Sequence, residues 1–209
     1  MGEQIWGFIL EGQSCSGKTS LMEAIRARHR RERDGERNTI FLSEQYSQTL
    51  NRVHGELRSL SQEENLQVLC RRAAMLEDLS RYADEMGKHS RRSRGLFFVF
   101  ERFHLNYAYS FPEGLGEEYR LLENRLLALH AQTVLCAVSP EKVPSRLARR
   151  ASLTGESATP ERVGEYIENQ KRFVKAAKAS RTPVSILNTD EMRWEDYAAG
   201  LYDRFRPKE

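Results

Sequence analysis

The 209-residue chain has no apolar run long enough to span a membrane. It opens Met1-Gly2-Glu3-Gln4, with no basic stretch leading an apolar one, so no secretory leader is expected. Trp6 stands where a myristoylation signal needs Ser or Thr. Cysteine is scarce. Cys15, Cys70 and Cys136 are odd in number and widely spaced, which excludes a disulfide framework or a zinc site. Cys70 and Cys136 lie in apolar runs and read as core thiols, and the expected compartment is a reducing cytoplasm. A strong charge of one sign is also missing: 33 Lys and Arg face 30 Asp and Glu, for a net charge of +3. Nucleic acid and membrane are therefore not the expected partners. Internal repeats, low-complexity stretches and an N-K-x-D guanine motif are absent. The length suits one α/β domain covering residues 1–209.

Against these absences one motif stands out. Residues 12–19 read Gly12-Gln13-Ser14-Cys15-Ser16-Gly17-Lys18-Thr19, which is the full G-x-x-x-x-G-K-[ST] phosphate-loop pattern. A chance match in a chain of this length is on the order of 1%. The apolar run Ile5–Leu10 precedes it and helical spacing follows from Thr19 and Ser20. Glycines let such a loop curl its N–H groups around an anion, and a helix N-terminus adds positive potential. The expected ligand is a nucleoside triphosphate, held by residues 12–20. Lys18 would reach the outer phosphates, and the Thr19 hydroxyl would ligate Mg²⁺.

Five runs read as buried parallel strands: 4–10, 38–43, 95–101, 132–138 and 182–188. Helical patterns fill the gaps at about 62–87, 116–131, 140–151, 159–179 and 193–205. The stripe Leu66, Leu69, Cys70, Ala73, Leu76, Leu79 and Tyr82 reads as core. The basic run Lys88–Arg94 reads as a solvated turn. The run 95–101 delivers Glu101 and Arg102 at a strand's carboxyl end, where open parallel sheets bind ligands. Glu101 would hold Mg²⁺ directly or through water, and Arg102 would clamp a phosphate. Glu44 ends the second strand, placed to serve as a general base or to bind substrate. After the fourth strand, a helix carrying Arg146, Arg149 and Arg150 leads into a polar stretch, a pattern expected of a lid over about 146–160.

Taken together, these residues resemble the thymidylate kinase and deoxynucleoside kinase group of phosphate-loop kinases. Phe8-Ile9-Leu10-Glu11-Gly12 into Gly17-Lys18-Thr19 is similar to their first strand and loop. Glu101-Arg102-Phe103-His104-Leu105-Asn106-Tyr107-Ala108-Tyr109 is similar to D-R-[YH]-x-x-S-x-x-A-Y, with Glu for Asp and one residue shorter. Glu101-Arg102 also resembles the start of E-R-S, with Phe103 in place of the serine. Val68–Ala73 resembles the helix whose arginine grips the acceptor's phosphate, and Arg72 is the match. Ser139-Pro140-Glu141 through Arg146 and Arg150 is similar to the helix leading into the lid. The R-E-P-G-G-T-like segment of thymidylate kinases is replaced by Ser43-Glu44-Gln45-Tyr46-Ser47-Gln48-Thr49, in which only Glu44 survives.

The resemblance implies a five-stranded parallel sheet of order 2-3-1-4-5 with helices on both faces, and often a homodimer. The expected activity is ATP- and Mg²⁺-dependent phosphorylation of a small molecule, a nucleoside or nucleoside monophosphate. Lys18, Glu44, Glu101, Arg102, Arg146 and Arg150 are the candidate catalytic residues, with Thr19 and Glu101 as metal ligands. Glu44, Tyr46, Arg72, Arg102, Phe103 and Tyr107 are the candidates for the acceptor; the three rings could stack on a base or pack in the core. Two other readings stay open. One is a kinase of a non-nucleotide hydroxyl metabolite such as an antibiotic or sugar. The other is a nucleotide-controlled switch or nucleic-acid-associated ATPase.

Overall fold

The structure is a computed structural model that describes residues 5–32, 38–43, 50–53, 56–89, 95–154 and 158–206. Its strands are β1 (Trp6–Glu11), β2 (Asn38–Leu42), β3 (Leu50–Val53), β4 (Glu56–Ser59), β5 (Leu96–Glu101), β6 (Ala131–Ala137) and β7 (Val184–Asn188). Its helices are α1 (Lys18–Arg31), α2 (Gln62–His89), α3 (His104–Ser110), α4 (Glu117–Ala128), α5 (Val143–Thr154), α6 (Pro160–Ala179) and α7 (Trp194–Phe205). Five strands form one parallel sheet in the order β2-β5-β1-β6-β7. Counted within that sheet, the order is the expected 2-3-1-4-5. The sequence pattern missed three features: the antiparallel β3–β4 pair, the seven-residue α3, and a 3₁₀ turn at Pro140–Lys142 that delays α5 by three residues. Each is too short to show a helical or alternating apolar period.

All six residues of β1 and of β5 are buried, as central strands covered on both faces must be. Alternate side chains then feed two cores. Ile5, Ile9, Phe98 and Phe100 meet Leu66, Leu69, Leu76, Tyr107, Leu122 and Leu126 from α2, α3 and α4. Trp6, Phe8, Leu10, Phe97 and Val99 meet Leu21, Met22, Ile25, Leu201 and Tyr202 from α1 and α7. Helices thus cover both faces.

The stripe along α2 is core only in part. Leu66, Leu69, Ala73 and Leu76 are buried, but Leu79 is 36% exposed and Tyr82 57% exposed. A helix of 28 residues is about 42 Å long. A six-residue strand such as β5 covers only about 20 Å. The far half of α2 is accordingly mostly exposed, with Ala83 still buried, and Glu77 pairs with Arg125 on α4 at 2.7 and 2.9 Å. The site depends on the other dimension: parallel pairing brings the carboxyl ends of β1, β5, β6 and β7 to one edge.

Leu76→Ala is expected to lower unfolding free energy by about 2–5 kcal/mol. The same change at Leu79 should cost less than about 1 kcal/mol. Urea denaturation of the two variants beside the parent chain checks both.

Candidate active site

The 12–19 loop leaves β1 and enters α1 through backbone that most residues avoid. Gly12 has φ 132° and Gly17 φ 92°, and Cys15 sits at φ 67° between them. Gly17 has a second reason to lack a side chain: a Cβ there would meet the Trp194 ring at 2.1 Å. The Lys18 ammonium is buried and donates to the Gln13 carbonyl at 3.0 Å. The Thr189 hydroxyl donates to the Ser16 carbonyl at 2.9 Å, backing the loop from the end of β7.

Register places Glu101 opposite Leu10, so β5 ends level with the loop. The Thr19 hydroxyl donates to Glu101 Oε1 at 2.9 Å, and Glu101 is only 2% exposed. Arg102 follows with φ 60°, its N–H held by the Leu10 carbonyl at 2.9 Å. That turn aims its guanidinium across the loop, where it donates to Ser14 Oγ and to Asn106 Oδ1, both at 3.2 Å.

A cavity of about 310 Å³ opens between these groups and α5. Ser14, Cys15, Gly17–Ser20, Glu101, Arg146, Arg149, Arg150, Met192 and Trp194 line it. Lys18 and three arginines face one carboxylate, an environment suited to a polyanion. Burial raises the Cys15 thiol pKa above its ordinary value, against the pull of Arg150, Lys18, Arg162 and Arg146, so the thiol stays protonated at neutral pH.

The three arginines differ. Arg146 is 9% exposed, donates to the Thr189 carbonyl and lies 5.8 Å from the Trp194 ring centroid. It ties α5 to the segment that backs the loop. Arg149 donates to the Met192 sulfur at 3.2 Å at the cavity's rim. Met192 and Trp194 were not anticipated as site residues, and Arg149 only as one of the clustered arginines of the lid helix. They come from two segments far apart in sequence, and only the fold joins them.

The acceptor candidates are dispersed. Phe103 is 1% exposed against Phe100, and Tyr107 is fully buried, stacked on Tyr119 with its hydroxyl donating to Gly114 O. Both rings pack in the core in this structure. Glu44 and Tyr46 lie outside the described residues. Arg72 sits on α2, half-buried. Burial lowers its pKa to about 10, and Nη1 has no hydrogen-bond partner among the described residues.

A second carboxylate at a strand end escaped notice: Glu11, the last residue of β1. It is fully buried, and its Oε1 accepts from the N–H groups of Phe103 and Leu105 at 2.9 Å and of Asn106 at 3.4 Å. Burial dominates those bonds and the charge of Arg102, and raises its pKa to about 7. The signal that flagged Glu101, an acid closing an apolar strand, was present at Glu11 as well.

No cluster of three or more His, Cys, Asp or Glu suited to a metal occurs among the described residues. A magnesium ion takes few protein ligands and completes its shell with water and phosphate oxygens. The adjoining Thr19 hydroxyl and Glu101 carboxylate fit that requirement. No described helix is long and apolar enough to cross a membrane.

No known protein family matches the chain, and no curated sequence does. Solved structures do. The YorR protein of Bacillus subtilis, in complex with phosphorylated GDP, aligns at TM-score 0.60 with 14% identity, over 95% of this chain and 94% of that one. The protein APE1195 aligns at TM-score 0.51 with 16% identity, over 98% and 96%. At these identities the likeness establishes the fold: a five-stranded parallel α/β sheet with helices on both faces.

Glu11 is protonated in the folded chain up to about pH 7, but ionises near 4.5 when unfolded. Its raised pKa therefore costs stability as pH rises from about 4.5 to 7, by about 3 kcal/mol in all. Glu11→Gln should remove that slope. Chemical denaturation at pH 5 and pH 8 should show the parent losing more stability than the variant between the two.

Proposed function

We propose that the chain is an ATP- and Mg²⁺-dependent phosphotransferase acting on a nucleoside or nucleoside monophosphate. The observation that carries this reading is the bond from Thr19 to Glu101 beside a cavity lined by Lys18 and three arginines. Such a site has an acid for a divalent cation and cations for a triphosphate, with the strand ends around it open to an acceptor. The YorR structure, which has this fold and holds phosphorylated GDP, supports a nucleotide ligand.

In this reading Lys18 and the loop amides hold the donor phosphates. Thr19 and Glu101 hold Mg²⁺, which when bound would offset charge on the phosphates. Arg102, fixed across Ser14, orients the acceptor. An acceptor oxygen attacks the terminal phosphorus, the bond to the bridging oxygen breaks, and ADP leaves. If the acceptor is a nucleoside hydroxyl, its proton passes to a carboxylate, the role assigned to Glu44, whereas a monophosphate attacks through an oxygen that is already anionic. Arg150 and Arg149 close over the transferring group as part of a lid at 146–160, while Arg146 holds the lid helix against the loop.

Arg72 favours a monophosphate over a bare nucleoside. A half-buried guanidinium with an unmatched N–H is costly alone and is relieved by an anion. The resemblance of these residues to thymidylate kinases supports a homodimer, and the three free thiols support a reducing cytoplasm.

The test is ATP turnover against a panel of nucleosides, nucleoside monophosphates, sugars and aminoglycosides, with Lys18→Ala as control. The expected result is a phosphorylated nucleotide product and a loss of at least about 100-fold in Lys18→Ala. Product from a sugar or antibiotic alone would replace the acceptor, and turnover stimulated only by DNA or RNA would replace the whole reading. Arg72→Met is expected to raise KM for a monophosphate about 10- to 100-fold, the worth of a charge-assisted bond, while leaving any nucleoside activity intact.

A further inference from the structure

The mechanism above leaves one buried acid without a task. Glu11 stands immediately before the loop, 0% exposed, where a carboxylate is expensive. Its Oε1 gathers three N–H groups at the start of α3, and its Oε2 is buried with no hydrogen-bond partner among the described residues. A helix start can be capped more cheaply by Ser, Thr or Asn from its own chain. Phe103, at that position, supplies no side-chain cap.

The contacts form a closed circuit. Glu11 holds the Asn106 N–H, the Asn106 side chain accepts from the Arg102 guanidinium, and Arg102 donates on to Ser14 inside the loop. The circuit leaves the chain at residue 11 and returns to it at residue 14. The Leu10 carbonyl fixes its remaining corner by holding the Arg102 N–H at 2.9 Å in the left-handed turn.

We propose that Glu11 is a positioning residue: by anchoring residues 103–106 to the base of the 12–19 loop, it sets where the Arg102 guanidinium stands over that loop. The proposal rests on the reading of the cavity as a phosphoryl-transfer site. Glu11 touches neither donor nor acceptor and acts through Asn106 and Arg102. A plain structural cap would lower stability and leave the kinetics of the folded chain alone. A positioning residue acts on the kinetics of a chain that is still folded, and acts only while Arg102 is present.

The experiment is steady-state turnover of ATP with the best acceptor of the panel above, in Glu11→Met, Glu11→Gln, Arg102→Met and the double variant Glu11→Met/Arg102→Met. Binding of a fluorescent ATP analogue is measured alongside. Glu11→Met should lose about 10- to 100-fold in kcat/KM for the acceptor, the scale of a misplaced catalytic contact. Its affinity for the ATP analogue should stay within about threefold. Glu11→Gln retains an oxygen at the Oε1 position and should restore most of the loss. The double variant should be no worse than Arg102→Met alone, the mark of two residues acting as one unit. Equal losses from Glu11→Met with and without Arg102, or an equal loss of ATP-analogue affinity, would overturn the proposal. If Glu11→Met does not fold, Asn106→Ala breaks the same circuit at its far side and should show the same dependence on Arg102. Unchanged turnover in Lys18→Ala would mark failure of the phosphotransfer reading instead, since Lys18 lies outside the Glu11 circuit.

Discussion

The parallel pairing of β1 with β5 is the constraint on which the site depends. Parallel strands have evenly spaced bonds and no hairpin to stagger them. The register Leu10 opposite Glu101 therefore ends both strands at one level. From that level β1 turns into the 12–19 loop and β5 turns, through Arg102, into α3. Thr19 reaches Glu101 only because the first helix starts directly above the end of the neighbouring strand. A slip of one residue would send Glu101 to the opposite face of the sheet. The two apolar cores oppose such a slip, since it would also invert Phe97, Phe98, Val99 and Phe100.

On this frame the edge of the sheet accumulates charge that a core would reject. Glu11, Lys18, Glu101 and Arg146 are all nearly inaccessible. Each is matched to backbone or to a neighbour: Glu11 to three N–H groups, Lys18 to the Gln13 carbonyl, Glu101 to Thr19, Arg146 to the Thr189 carbonyl. The raised pKa of Glu11 shows that matching is incomplete there, and the half-buried Arg72 shows the same for a cation. Both are places where stability yields to something other than packing.

How far the sequence was legible depended on how far apart the cooperating residues lay. The 12–19 loop was evident because its glycines, lysine and threonine are contiguous and its backbone needs are local. The five sheet strands were evident because buried strands are continuous apolar runs. The strand order rested on family resemblance, and that order is the one the sheet has. Leu79 and Tyr82 repeat the period of Leu76, and nothing local to α2 says that they are exposed. Phe103 and Tyr107 carry chemistry that serves a base or a core equally well, and only burial distinguishes the two. Trp194 was invisible as a site residue because its partner is a glycine, which gives no side-chain signal.

That last contact bears on how the chain comes to be assembled. The loop is synthesised before the residues it leans on: Thr189, bonded to Ser16 across 173 positions of sequence, and the Trp194 ring laid over Gly17. Residues 12–19 leave the ribosome before residues 189–194, the wall that completes them. The wall of the cradle is therefore complete only once β7 and α7 have docked.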